Sequence, residues 1–222
     1  MTSTINFESR RLPGKVAACR LDPLESQSVF KTILDSFARP GSILTLNHAV
    51  VSRVPSALAP VLVLADVETR VHIVDTPSFV WEEALASATG ARISRVEDAD
   101  LIAIPQDASE QIGSIISLAD PGSAFSPESA ARIVIGTLDL RAHGASDRGG
   151  VQLVLSGPGI DGERVLCVDG LTESDVELWN SMRTKFPAGV DVWFTTDDGR
   201  VAGVPRSTRV EIVASWPRRE RI

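Results

Sequence analysis

Two apolar runs, Val190–Thr195 and Val201–Val204, lie on either side of Asp197-Asp198-Gly199. Short runs rich in β-branched and aromatic residues, parted by turn-forming residues, read as an antiparallel hairpin. An isolated hairpin is marginal in water, so this one commits the chain to a larger sheet. Candidates for the other strands are Ser42–Leu46, Val71–Val74, Leu101–Ile104, Ile133–Leu138, Val151–Leu155, Arg164–Val168 and Arg209–Val213.

Helix signals are concentrated earlier in the chain. In Asp22-Pro23-Leu24-Glu25, Asp22 can cap, Pro23 suits the first helical position, and Glu25 completes a capping box. Phe30, Ile33, Leu34 and Phe37 follow at helical spacing and read as one apolar stripe. Arg39-Pro40-Gly41 ends that helix, because Pro40 disfavours helical geometry at Arg39. Pro55–Ala65, apolar nearly all round, reads as a buried helix. Thr76-Pro77 opens a helix that Gly90 ends, Ser109–Leu118 is a weaker one, and Thr172–Thr184 starts with Thr172 as cap and Asp175 three residues on. Helices first and hairpin-linked strands later predict an α/β fold of three αβα layers, a mixed sheet with helices on both faces. Residues 1–20 read as a loosely held N-terminal arm, 21–215 as a single domain, and 216–222 as a charged tail. Ala142–Gly150 reads as a loop within the domain.

The 222 residues suffice for a core without disulfides or metals. A net charge of −7 argues against a nucleic-acid binder with a broad basic face. Cys19 and Cys167 lie far apart, which fits a reducing compartment. The N-terminus has no apolar segment of signal-peptide length, and no apolar run reaches the ~18 residues of a membrane span. A cytoplasmic protein is expected.

Most catalytic motifs are missing. Gly157-Pro158-Gly159-Ile160-Asp161-Gly162 matches G-x-G-x-x-G, but a strand rather than a helix follows it, so a glycine-rich hairpin connection is the better reading. His48, His72 and His143 are scattered without ligand spacing, and no metal is expected. No G-x-S-x-G elbow and no P-loop occur. Lys15, Lys31 and Lys185 are the three lysines. None sits where a pyridoxal phosphate Schiff base would form, and all three read as solvated. The remaining 19 of the 22 basic residues are arginines, which grip phosphate oxygens bidentately. Arg39, in the helix-ending turn, and Arg206, just after a hairpin strand, are the candidates. Simple pairing with nearby carboxylates is the competing account of both. Trp179 and Trp193 are candidates for subunit contacts or for core packing.

Phe186–Thr208, FPAGVDVWFTTDDGRVAGVPRST, resembles the C-terminal signature of the PhnH family, a component of the bacterial carbon–phosphorus lyase (phosphonate utilisation) system. FKTILDSFARPGSI, LVLADVETRV and LSGPGI are similar in kind and order, so the resemblance runs from about Asp22 to Val213. It implies a cytosolic homodimer with a fold like that of pyridoxal-phosphate-dependent transferases, lacking the cofactor lysine and the cofactor. It also implies a complex with subunits G, I and J. The implied task is a contribution to forming ribose 1-alkylphosphonate 5-triphosphate from ATP and an alkylphosphonate. The turn-and-arginine positions of the family match at Arg39, Asp191 and Arg206, giving an expected site for an anionic phosphonate or nucleotide, with Asp191 orienting an arginine or structuring the FPAGVD turn. No catalytic residue is implied. A scaffold subunit without a ligand site is the alternative, and a self-contained transferase a third.

Overall fold

A computed structural model describes residues 12–74, 81–142, 150–183 and 186–213. In chain order its elements begin with α1 (Leu12–Cys19), α2 (Pro23–Ala38), β1 (Leu44–Thr45), α3 (His48–Val51) and α4 (Leu58–Leu64). Then come β2 (Arg70–Ile73), α5 (Trp81–Thr89), β3 (Arg92–Ile93), β4 (Leu101–Ile104) and α6 (Ile112–Leu118). β5 (Arg132–Thr137), β6 (Asp139–Arg141), β7 (Gly150–Ser156) and β8 (Glu163–Asp169) precede α7 (Glu173–Ser181). The chain finishes with β9 (Asp191–Thr196), β10 (Arg200–Val204) and β11 (Arg209–Val213).

Seven strands form a mixed sheet in the order β1-β10-β9-β5-β4-β2-β3. β9, β5, β4, β2 and β3 run parallel, while β10 and β1 are antiparallel additions. Every residue of β4 and β9 is buried, as expected for strands covered on both faces. One face carries Val71, Leu101, Ala103, Val134 and Trp193 against α1, α2, α4 and α5. The other carries Ile102, Ile133, Ile135, Val192 and Phe194 against α6 and α7. The expected α/β class, with a mixed sheet and helices on both faces, is what forms.

The layer over that second face is not purely helical. β11, β7, β8 and β6 make a separate four-stranded antiparallel sheet. β7 alternates buried and half-exposed residues, so Val151, Leu153 and Leu155 face the core and the intervening side chains face outward.

α2 starts as predicted. Asp22 Oδ1 accepts from Glu25 N–H at 2.8 Å, and Glu25 Oε2 accepts from Asp22 N–H at 3.0 Å. The same box forms between Thr172 and Asp175 at the start of α7. The apolar stripe of α2 is corrected. Val29, Ile33 and Ser36 face the core, whereas Phe30 is 47% and Leu34 56% exposed. The reason is close approach. A Cβ on Gly203 would lie 2.6 Å from Ser36 Oγ and from Phe37 Cδ1, so β10 comes up against a small residue. Ser36 Oγ donates to Ile33 O and accepts from Trp193 Nε1–H, while the Trp193 ring stacks on Phe37 at 4.0 Å. Trp193 and Trp179 are both buried, which decides for core packing over subunit contacts.

Part of the expected arm, residues 12–19, is helix α1, whose Leu12 and Val16 pack on the core. Lys15 is not solvated. It is half-buried, its ammonium 4.0 Å from the centre of the Trp81 ring, a cation–π contact. Lys185, His143, Thr76-Pro77, most of the 142–150 loop and the arginine-rich tail lie outside the described residues. Among the described residues no helix is long and apolar enough to cross a membrane.

Candidate functional site

Three of the four segments that carry the family resemblance, all but LVLADVETRV, converge where the two sheets meet. α2 ends at Arg39, and Gly41, at φ 71°, donates its N–H to Gly203 O of β10. β7 and β8 are joined by the glycine-rich turn, a hairpin rather than a dinucleotide loop. A Cβ on Gly159 would lie 2.6 Å from Ala38 O, so only glycine lets this turn seat against the end of α2. Gly157 approaches Ser207 O, in the connection from β10 to β11. Arg164 of β8 reaches across this joint. Its Nη1 donates to Pro40 O and Ser42 Oγ, each at 2.7 Å, and so holds the turn that follows α2.

Asp191 and Arg206 meet in the same joint. The Asp191 carboxylate accepts from Arg206 N–H at 2.8 Å, from Nε–H at 3.1 Å and from Nη2–H at 2.6 Å. Arg206 Nη1 donates to Pro127 O. Both side chains are largely buried, 13% and 14% exposed. The guanidinium thus ties the start of β9 to residues 127 and 206, and Asp191 orients it. Arg39 stands apart. Its guanidinium is 58% exposed and lies 3.5 Å from Asp35. Among the described residues it has no hydrogen bond or ion pair with Asp191 or Arg206.

Sequence reasoning missed Arg183, just beyond α7. Its Nη2 donates to Pro205 O at 2.9 Å and to Thr208 O, and its guanidinium lies 4.6 Å over the Trp179 ring. Burial pushes its pKa down to about 10, partly offset by the Asp191 charge. Gly189, at φ 136°, packs against both Arg183 and Arg206, each 3.4 Å from where a Cβ would stand. A residue held by backbone carbonyls has no recognisable sequence partner, so no pattern could have marked it.

The opposite ends of the parallel strands are polar in another way. Thr137 Oγ1 donates to Thr195 O, and Ser56 Oγ bonds Thr195 Oγ1 at 3.2 Å. Arg200 bridges Asp198, Asp139 and Leu140 O. Arg141 pairs with Asp169 at 2.8 Å and Asp139 at 3.2 Å. The Arg200 hydrogen bond, helped by Thr196, holds the Asp198 carboxyl down at about 2. Burial, then the neighbouring Asp107 and Asp198, raises the Asp197 carboxyl. With its nitrogen turned inward, the Gln106 amide donates to Thr137 O at 2.9 Å and to Asp197 Oδ2 at 3.2 Å. Among the described residues no group of three His, Cys, Asp or Glu side chains could hold a metal ion.

Fold and joint together define an α/β protein whose distinctive segments build a buried arginine-rich seam between two sheets. The chain belongs to the family described as bacterial phosphonate metabolism protein (PhnH), whose sequence model matches residues 19–211. It is also 30% identical, over 200 residues, to the alpha-D-ribose 1-methylphosphonate 5-triphosphate synthase subunit PhnH of Rhizobium meliloti (strain 1021). That alignment covers 86% of this chain and 92% of the relative.

Proposed function

We propose that this chain is a subunit of the synthase that forms ribose 1-alkylphosphonate 5-triphosphate from ATP and an alkylphosphonate during organic phosphonate catabolism. The near full-length similarity to a relative named as a subunit of such a synthase carries this reading. The chain acts as a cytoplasmic homodimer, in a complex with subunits G, I and J of the carbon–phosphorus lyase system. Its fold resembles that of the pyridoxal-phosphate-dependent transferases, without the lysine and without the cofactor. It shapes an anion site rather than supplying a nucleophile. In that site Asp191 orients Arg206, while Arg39, which stands apart from the pair, offers an exposed guanidinium of its own.

The test is adenine release by the co-purified neighbouring gene products, with and without this chain. Release is expected to collapse when the chain is omitted and to return when it is added back. An unchanged rate in its absence would sink the proposal. A scaffold role is the second reading, favoured by the saturation of Arg206 by Asp191 and Pro127 O. Phe125 and Phe186, both strongly exposed, would then serve subunit contacts. Calorimetry with ATP and with methylphosphonate separates the two, since a scaffold gives no heat of binding.

A further inference from the structure

Arg183 has no carboxylate within hydrogen-bond contact among the described residues. Its Nη2 is taken by two carbonyls, and its Nη1 has neither a hydrogen-bond partner among the described residues nor solvent contact. Two more unpaired buried atoms lie on residues that touch it, Trp179 through its ring and Thr208 through its backbone carbonyl. One is Trp179 Nε1, on the ring beneath the guanidinium. The other is Thr208 Oγ1, on the residue whose carbonyl accepts from Arg183. Buried polar groups in native proteins are almost always paired, so three unpaired ones on neighbouring residues mark a place where an acceptor belongs. Charge selects the kind of acceptor. Arg183 and Arg206 share one carboxylate, Asp191, so the seam is left with positive charge that a water molecule does not neutralise. Shape narrows it further. A guanidinium N–H, an indole N–H and a hydroxyl, on two different elements, suit the several oxygens of a tetrahedral oxyanion better than the two of a planar carboxylate.

We propose that Arg183, Trp179 and Thr208 form a site for a phosphate-type oxyanion, the phosphonate or phosphate group of a small molecule, beneath the turn at 186–189. The class of anion rests on the function proposed above; the site itself rests on the unpaired donors. Access requires the 186–189 turn, which packs on Arg183 through Gly189 and exposes Phe186, to part from the guanidinium.

The experiment is thermal unfolding of the isolated full-length chain with inorganic phosphate, methylphosphonate or ATP, and with sodium chloride at matched ionic strength. At ten times Kd a bound oxyanion is expected to raise the Tm by about 3–6 °C, and chloride to leave it unchanged. A larger rise with methylphosphonate than with phosphate assigns the site to phosphonates, and the reverse to phosphate groups. Arg183→Gln is expected to abolish the rise and Thr208→Val to reduce it. No rise in the native chain, or an equal rise in Arg183→Gln, overturns the proposal. If Arg183→Gln does not fold, Thr208→Val decides, and an undiminished rise overturns it. No anion effect, combined with loss of co-purification in Arg183→Gln, also overturns it and assigns the donors to a partner's carboxylate. Because the readout needs no partner subunit, failure here leaves the adenine-release test of the proposed function standing.

Discussion

At its first residue β9 carries Asp191, enclosed by Arg206 and close to Arg183. At its last it carries Thr196, beside Asp197 and Asp198, with Arg200 and Arg141 serving the surrounding carboxylates. The amino end is buried and has more base than acid. The carboxyl end has more acid than base, and its Asp197 and Asp198 are exposed. Open α/β sheets ordinarily take ligands at the carboxyl ends of their strands. Here that edge would repel a phosphonate, and the charge an anion needs has been moved to the opposite end. Position in the fold and chemistry of the side chains therefore point in different directions, and for an anionic ligand the chemistry decides.

The sharpest way to break this contrast is Asp191→Ala. It leaves two buried arginines without their carboxylate, and such uncompensated charges cost about 3–5 kcal/mol. Urea unfolding is expected to show that loss, and a much smaller one in Asp191→Ala combined with Arg206→Met. An effect under about 1 kcal/mol for the single change would mean that the amino end is no more buried, electrostatically, than the carboxyl end. Next is Arg200→Ala, which removes the bridge among Asp198, Asp139 and Leu140 O. Its half-exposed setting limits the expected loss to about 1–2 kcal/mol by the same measurement.

The smallest effect is Asp198→Asn, and pH separates it from the others. The folded-state pKa of Asp198, about 2, lies below its ordinary value of 3.8. Its contribution is therefore complete above the ordinary value and disappears as pH falls through the folded one. Asp198→Asn is expected to be slightly less stable than the native chain near pH 6, with the gap closing between about pH 4 and 2. A gap that persists at pH 2 would separate the effect from ionisation.

Local signals were legible wherever short-range chemistry decides the outcome. Asp22 with Glu25, Thr172 with Asp175, and the hairpin across Asp197-Asp198-Gly199 all formed as read. What stayed hidden was non-local. Alternation along β7 and β11 shows that each has a buried face, but not that they pair with each other in a second sheet. In α2 spacing alone favoured Phe30 and Leu34, whereas the fit of Gly203 against Ser36 turned them outward. The site was half legible. Asp191 and Arg206, both picked out in the sequence, pair with each other, Arg39 does not join them, and Arg183 binds carbonyls that any sequence possesses.

Arg164 holds the carbonyls of Arg39 and Pro40, just past the last residue of α2, from a strand that belongs to the other sheet. A helix end normally frays on its own, at little free-energy cost. Here the turn that follows the helix is tied to β8, so loosening the one strips hydrogen bonds from the other. The two sheets are thereby joined in one cooperative unit. Amide exchange in the last turn of α2 and in the middle of β8 is expected to follow a common opening event, as though a single latch closed both.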